Sequence, residues 1–360
     1  MKIGIVGCGG IALGYAAFLM KSGHQPVVWS PSGESSRSLI GHELTASGVI
    51  EGSFRIQVAG SAQELVSEAE VVIIAVPGYG HRAVMDAVVP FARDVQSFIV
   101  SAQLSLSGVY LKHCLATRGV EADVIAWATT VLMSRRTGPT SIAVGGIRQM
   151  LEVAALPSAA GARCLDLCRA LFGDRFRLVL NTLSIALGNL NPPIHMASAL
   201  CNLTRIEKGE YWANYDGITP SVARLIEALD RERLDLAKAY GVTVRTVQEH
   251  YQLTFGFEEG HSIAEMAAMV HKQRQGPPGP TSLDTRFVTE DVPFGIVPLV
   301  ELAARRDVPL RLHQAGIQLF CALYGRDFST ENDLLRVLPW ESIVASPEPV
   351  SAHTNEPLPE

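Results

Sequence analysis

The opening stretch, MKIGIVGCGGIALGYAAFLMKSGH, constrains the fold more than any other part of the chain. KIGIV (2–6) is a short apolar run of strand character, the glycines that follow demand a sharp turn, and the apolar residues beyond them recur at helical spacing until Gly23. In this strand, turn and helix, Gly7-x-Gly9-x-x-Ala12 is the alanine variant of a dinucleotide fingerprint. One glycine makes the turn, the next lets backbone approach a pyrophosphate, and a small third residue lets the helix pack on the strand. The helix N-terminus adds N–H donors and a partial positive charge. Gly7, Gly9, Gly10 and Ala12 are therefore expected to hold a nicotinamide dinucleotide. The same glycines interrupt what would otherwise pass for a signal-peptide core, and no clear small-x-small cleavage site follows.

Further apolar runs at PVVWS (26–30), FRIQVAG (54–60), EVVIIAVPG (70–78), QSFIVSA (96–102) and DVIAWATT (123–130) are separated by stretches able to form helices. The pattern predicts an α/β fold with a Rossmann-type doubly wound parallel sheet. Ligands of such sheets lie beyond the carboxyl ends of the strands, which places Pro77, Gly78 and Ser101 to Gln103 near cofactor or substrate. The second strand ends in WSPSGESSR and not at the acid that ordinarily accepts the 2′-hydroxyl of NAD. Ser30, Ser32 and Arg37 are instead suited to a 2′-phosphate, so NADP is expected, with NAD left open by Glu34.

At 360 residues the chain is long enough for two domains. With 48% hydrophobic residues, 18% charged residues and a formal charge of −6, it has no basic excess to hold a phosphate backbone. Nucleic acid is not an expected partner, and neither is a membrane; small-molecule substrates are, and a homodimer is left open. The six cysteines are scattered through apolar stretches, and Cys164 and Cys168 are one helical turn apart instead of in a CxxC pair. A reducing, cytoplasmic location and no metal site are expected.

After SIAVGG (141–146) and RFRLVL (175–180) the pattern turns helical. TPSVARLIEALDRERLDLAKAYG (219–241) predicts an amphipathic helix with Thr219 as cap, Pro220 at N1 and Gly241 closing it. Further helices are predicted over 262–273 and about 293–306, and GPPGP (276–280) reads as a loop. The expected division is a dinucleotide-binding domain over 1–180, a mainly α-helical substrate and catalytic domain over 181–345, and a polar, proline-rich tail over 346–360 that does not fold.

At the junction, LNPPIHMASALCN (190–202) predicts a helix with Asn191 as N-cap and Pro192 at N1. His195 then falls in the first turn, and seven residues on, Asn202 returns to within ~20° of the same face. For a histidine considered alone, simple packing remains the competing reading. A helix N-terminus disfavours an imidazolium and favours an anion, which suits a neutral histidine meeting a carboxylate-bearing substrate.

The NPxxH motif with its later asparagine, YDGITPSVARLIEALDRERLDLAKAYGV and DTRFVTEDVPFGIVPLVELAARRDVP together resemble the octopine/nopaline (opine) dehydrogenase family. GCGGIA, AVPGYG and the segment from TTVLMSRR to EVAALP extend the resemblance over roughly residues 1 to 340. It implies an NAD(P)H-dependent reductive condensation of a 2-oxo acid with the amine of an amino acid. It also implies that His195 is catalytic, Asp291 its carboxylate partner, Arg286 a substrate-carboxylate ligand and Asn202 the histidine's companion. Asp291 directly precedes a predicted helix, so an N-cap role competes with partnership. The alternatives in function are a 2-oxo acid reductase making a hydroxy acid and a cofactor-binding sensor without turnover.

Overall fold

The computed structural model describes residues 1–274 and 277–344. Residue 276, where the GPPGP loop begins, and the stretch 346–360, expected to be an unfolded tail, lie outside the described residues. The strands are β1 Lys2–Val6, β2 Gln25–Trp29, β3 Leu44–Gly48, β4 Gly52–Phe54, β5 Gln57–Val58, β6 Val71–Ile74, β7 Ser97–Val100, β8 Asp123–Trp127, β9 Leu132–Gly138, β10 Ser141–Ile147, β11 Leu151–Leu156 and β12 Phe176–Leu178.

Eight of these form one sheet in the order β12-β11-β8-β7-β6-β1-β2-β5. From β5 to β8 all pairings are parallel, and β6 is buried along its whole length, as suits a strand covered on both faces. β11 lies antiparallel on β8 and carries β12 parallel beside it, so the expected parallel sheet is reversed at one edge. The reversal follows from the connection: the chain leaves β8 through the β9–β10 hairpin and re-enters from the same end, without the crossover that a parallel strand needs.

FRIQVAG, expected as one strand, is split between β4 and β5. β4 belongs to a second, four-stranded sheet of order β4-β3-β10-β9, whose β9 crosses the helix Gly10–Lys21. A Cβ at Gly10 would lie 2.6 Å from Arg135 Cα, and one at Gly14 would lie 2.9 Å from Ser134 Cβ. Both glycines thus serve this crossing.

From Thr182 onward the chain is helical, beginning with Thr182–Gly188, Asn191–Cys201 and Leu203–Glu207. The long helix Pro220–Ala239 starts behind Thr219 with Pro220 at N1, although the Thr219 side chain makes no cap hydrogen bond. Arg233 at its centre is fully buried, donates from Nε to Asp230 Oδ1 at 2.9 Å and binds the carbonyls of Leu187 and Arg245. Asp230 Oδ2 accepts the Val247 N–H at 2.9 Å, so this charged pair joins neighbouring helices structurally. Val72, Ile74 and Leu111 of the first domain share one apolar core with Leu236, Tyr240, Leu299 and Leu302 of the second. This shared core packs the helical part of the chain against the large sheet and its helices.

Candidate active site

β1 ends at Gly7, which has φ +121° and donates its N–H to Trp29 O at 2.7 Å. A Cβ there would lie 2.6 Å from Ala75 O, so only glycine lets the turn pass between β2 and β6. Gly9 is the N-cap residue of the helix Gly10–Lys21, and a Cβ on it would meet nothing within 4 Å. Open space over a helix N-terminus fits a dinucleotide's pyrophosphate. Ala12 is fully buried beneath it.

Beyond β2, Ser30 Oγ lies 2.7 Å from Ser35 Oγ, and Ser32 Oγ accepts the Glu34 N–H at 3.3 Å. Arg37 is exposed at the end of the short helix Glu34–Arg37. Sequence reasoning missed Arg136 of β9. Its Nη1 donates to Cys8 O at 3.1 Å and Ser35 O at 2.8 Å, and its Nη2 donates to Ser38 Oγ at 2.9 Å. This guanidinium ties the glycine turn to the serine-rich loop, and among the described residues it forms no ion pair. A positive charge surrounded by neutral acceptors suits an anionic group at the adenosine end. Its sequence signal was the SRR step in an alternating strand, which half-buries Arg136 and exposes Arg135.

The helix carrying His195 runs Asn191–Cys201 with Leu190 as its N-cap residue, one residue earlier than expected. The side chain that closes its start is Asn189, whose Oδ1 accepts the Asn191 N–H at 3.1 Å. Asn191 is therefore inside the helix, Pro192 is at N2, and His195 is its fifth residue. The helix-end charge is largely spent beyond the first turn, so it contributes less to His195 than the sequence suggested.

Two residues distant in sequence hold the imidazole. Nδ1 is 2.6 Å from Asp291 Oδ2, and the ring stacks on Phe287 with centroids 3.7 Å apart and planes at 7°. An ionised carboxylate can only accept, so Nδ1 carries the shared proton and Nε2 is left for exchange. The side chains are 21% and 14% exposed, enough for a substrate to reach. Asp291 occupies the N-cap position of the π-helical turn Val292–Ile296 yet makes no cap hydrogen bond. Pro293 and Pro298 lack the N–H groups that an α-helix would need here. The segment meets the His195 helix at Gly295, where a Cβ would lie 2.5 Å from Pro192 Cγ. Ser105 Oγ donates to Phe294 O at 2.9 Å and Asn332 Nδ2 to Pro293 O at 2.9 Å, which satisfies carbonyls that the turn frees.

The preceding residue, Glu290, is buried and faces elsewhere. Its Oε1 accepts the Gly78 N–H at 3.0 Å, just after Pro77 at the end of β6, and its Oε2 binds Arg286 Nε. Adjacent carboxylates thus fix the two candidate ligand groups, Glu290 the arginine and Asp291 the histidine. The Arg286 side chain is 77% exposed, leaving its terminal nitrogens open. Partial desolvation beside the buried Glu290 works against its charge, but the hydrogen bond and charge of Glu290, with Asp291 and Tyr79, outweigh that and raise its pKa. Behind Gly78, burial pushes the His81 pKa down to about 4 against the pull of Glu290, so His81 is neutral at neutral pH.

Gln103 follows β7 in a loop where Ala102, Ser105 and Leu106 have φ of +56°, +55° and +55°, strain worth ~1–3 kcal/mol each. Its Oε1 accepts the Gly108 N–H at 2.9 Å, while its buried Nε2 has no partner among the described residues. With Asn189, Pro192 and Phe294 it lines a small cavity between the domains. Asn202 is placed differently: its Nδ2 donates to Ser198 O at 2.9 Å and its Oδ1 accepts from Arg205 at 3.4 Å. It closes the C-terminus of the helix and makes no hydrogen bond to His195.

Comparison with known proteins finds a family model for each half of the chain. Residues 179–324 match the family described as NAD/NADP octopine/nopaline dehydrogenase, alpha-helical domain. Residues 2–103 match the family described as NADP oxidoreductase coenzyme F420-dependent. The chain is 27% identical to an opine dehydrogenase of Arthrobacter sp. (strain 1C), over 95% of this chain and 96% of that one. Its fold is similar to octopine dehydrogenase in complex with NADH and agmatine, at a TM-score of 0.78 and 16% identity, covering 98% of this chain and 100% of that one. It is also similar to NADP+-bound yersinopine dehydrogenase, at a TM-score of 0.71 and 16% identity, covering 95% and 99%.

Proposed function

Because the chain belongs to the octopine/nopaline (opine) dehydrogenase family, we propose that it joins a 2-oxo acid to the amine of an amino acid and, using NADPH, reduces the imine to an N-(carboxyalkyl) amino acid. The observation that carries this reading is the His195–Asp291 pair at the domain junction, with Arg286 within electrostatic reach of Asp291. The amine nitrogen bonds to the carbonyl carbon and loses protons, and the carbonyl oxygen departs as water. His195 Nε2 takes a proton from the nitrogen and returns it to the leaving oxygen, work typically worth ~10²–10⁴-fold in rate. Asp291 holds the Nδ1–H and stabilises the imidazolium formed meanwhile. Arg286 grips the oxo-acid carboxylate through its free terminal nitrogens, while Gln103 lines the small cavity beside the start of the His195 helix. The reduced nicotinamide, when bound, would supply the hydride for the imine carbon, and a proton from the solvent-exchanged His195 imidazolium goes to the nitrogen, which accounts for the two hydrogens added. Cytoplasmic residence is supported by six cysteines that are all free thiols. No helix among the described residues is long and apolar enough to cross a membrane.

The test is product mass in assays of 2-oxo acids with and without amino acids. The expected product equals oxo acid plus amino acid, minus water, plus two hydrogens; a hydroxy acid as sole product overturns the reading. Arg286→Lys keeps the charge but loses the planar fork, so KM for the oxo acid rises while kcat changes less. An unchanged KM removes Arg286 from the site.

NADPH is expected to bind more tightly than NADH, supported by Ser30, Ser32, Arg37 and the unneutralised Arg136 around one loop. Arg37→Ala weakens NADPH about tenfold or more, the scale of one charge-assisted hydrogen bond, and leaves NADH binding nearly unchanged. Equal affinity of the parent protein for both cofactors, measured by fluorescence titration, contradicts this.

A further inference from the structure

An opine carries two carboxylates, one from each substrate, and Arg286 accounts for only one. On the reading proposed above, we infer that Arg148 is the ligand for the other, the carboxylate of the amino-acid substrate. Arg148 lies in the link between β10 and β11. Its backbone N–H donates to Val131 O at 2.9 Å and its Nε to Thr130 O at 2.9 Å, just past the carboxyl end of β8. That is the end of the sheet where ligands of this fold bind. Tyr15 marks the same spot, with its hydroxyl 2.6 Å from Ser101 Oγ and accepting the Val131 N–H at 3.2 Å.

The second domain approaches from the other side. Ser198 is three residues beyond His195 on the same helix face, and its Oγ donates to Asn214 Oδ1 at 3.2 Å. The next residue, Tyr215, is an electrostatic neighbour of Arg148, as is Tyr15. Arg148 is thereby bracketed between the strand ends and the His195 helix. Its terminal nitrogens make no hydrogen bond, and it forms no ion pair, among the described residues. Burial lowers its pKa, and only the two tyrosines oppose that.

Among the described residues, nothing nearby supplies the missing anion. Glu152 accepts from both Arg177 and Arg245, the latter at 3.1 Å. His250 is pushed down to about 4 by burial first, and then by Arg245 and Arg148, so it is neutral at neutral pH. A half-buried guanidinium is costly to leave unpaired, and its two free terminal nitrogens match a carboxylate in geometry as well as charge.

The test uses the twenty standard L-amino acids, each beside its decarboxylated amine, with pyruvate and NADPH as co-substrates. The parent enzyme is expected to favour acids over the matched amines by at least ~10-fold in kcat/KM. Arg148→Gln should abolish that preference by raising KM for the amino acid, while KM for pyruvate stays within about twofold. Arg148→Lys, which keeps charge without the fork, should fall between the two and stands in if the glutamine variant does not fold. An Arg148→Gln enzyme that still condenses amino acids with the parent preference overturns the assignment, as does a rise confined to the pyruvate KM. If the parent forms only lactate, the opine reading itself fails, an outcome distinct from condensation with an unaltered preference.

Discussion

His195→Ala is expected to lower turnover by ~10²-fold or more while NADPH affinity and melting temperature stay nearly unchanged. The argument rests on what the imidazole touches. Its partners are one carboxylate, one aromatic face and an open approach to Nε2, and it fills no part of the apolar core that joins the domains. Alanine favours the helix, and the Asp291 carboxylate left behind is partly exposed, so water can replace the lost hydrogen bond. The glycine turn and the Arg136 bracket lie at the other end of the cofactor site, outside these contacts. A packing histidine gives the reverse result, a lower melting temperature with turnover intact. Measuring kcat, dinucleotide affinity and Tm on the same variant separates the two, and a variant with parent turnover removes His195 from the chemistry.

The parts of this fold legible in the sequence are those in which a short stretch decides its own conformation. KIGIVGCGGIA encodes a strand, a turn and a helix start within eleven residues, and Gly7 is required by a contact with the neighbouring strand end. The long helix was readable for the same reason, with its proline start, closing glycine and periodic apolar face. The small sheet was only partly readable: SIAVGG (141–146) lies in β10, but β9, LMSRRTG, has no regular apolar alternation and gains its partners only where it crosses the first helix. Arg136 was hidden with it. The start of the His195 helix was misplaced by one residue because Asn189 and Asn191 are chemically equivalent caps, and only the hydrogen bond to the Asn191 N–H distinguishes them. Asn202 was placed on the face of His195 by periodicity, but as the C-cap residue its amide turns back to Ser198. The pairing of His195 with Asp291 spans 96 residues, beyond any local rule. Resemblance proposed that pair, and the contact between Gly295 and Pro192 supplies the physical route by which the two segments meet.

Asp291 offers the sharpest test of role because its two readings predict different results for one substitution. Asparagine is as good an N-cap as aspartate, so a capping Asp291 tolerates Asp291→Asn almost silently. The side chain, however, makes no cap bond and spends one carboxylate oxygen on His195 at 2.6 Å. An asparagine there carries no charge to stabilise an imidazolium, and if its NH₂ faces Nδ1 it forces the imidazole proton onto Nε2, the nitrogen that must accept one. Turnover is expected to fall by ~10²–10⁴-fold, comparable to losing the histidine, with Tm and NADPH affinity little altered. Asp291→Glu keeps the charge one methylene further out and is expected to recover part of the loss. The double variant His195→Ala/Asp291→Asn should be scarcely worse than His195→Ala alone, because the carboxylate acts through the imidazole. An Asp291→Asn enzyme with parent activity, or a double variant whose losses multiply, shows that Asp291 does not work through His195.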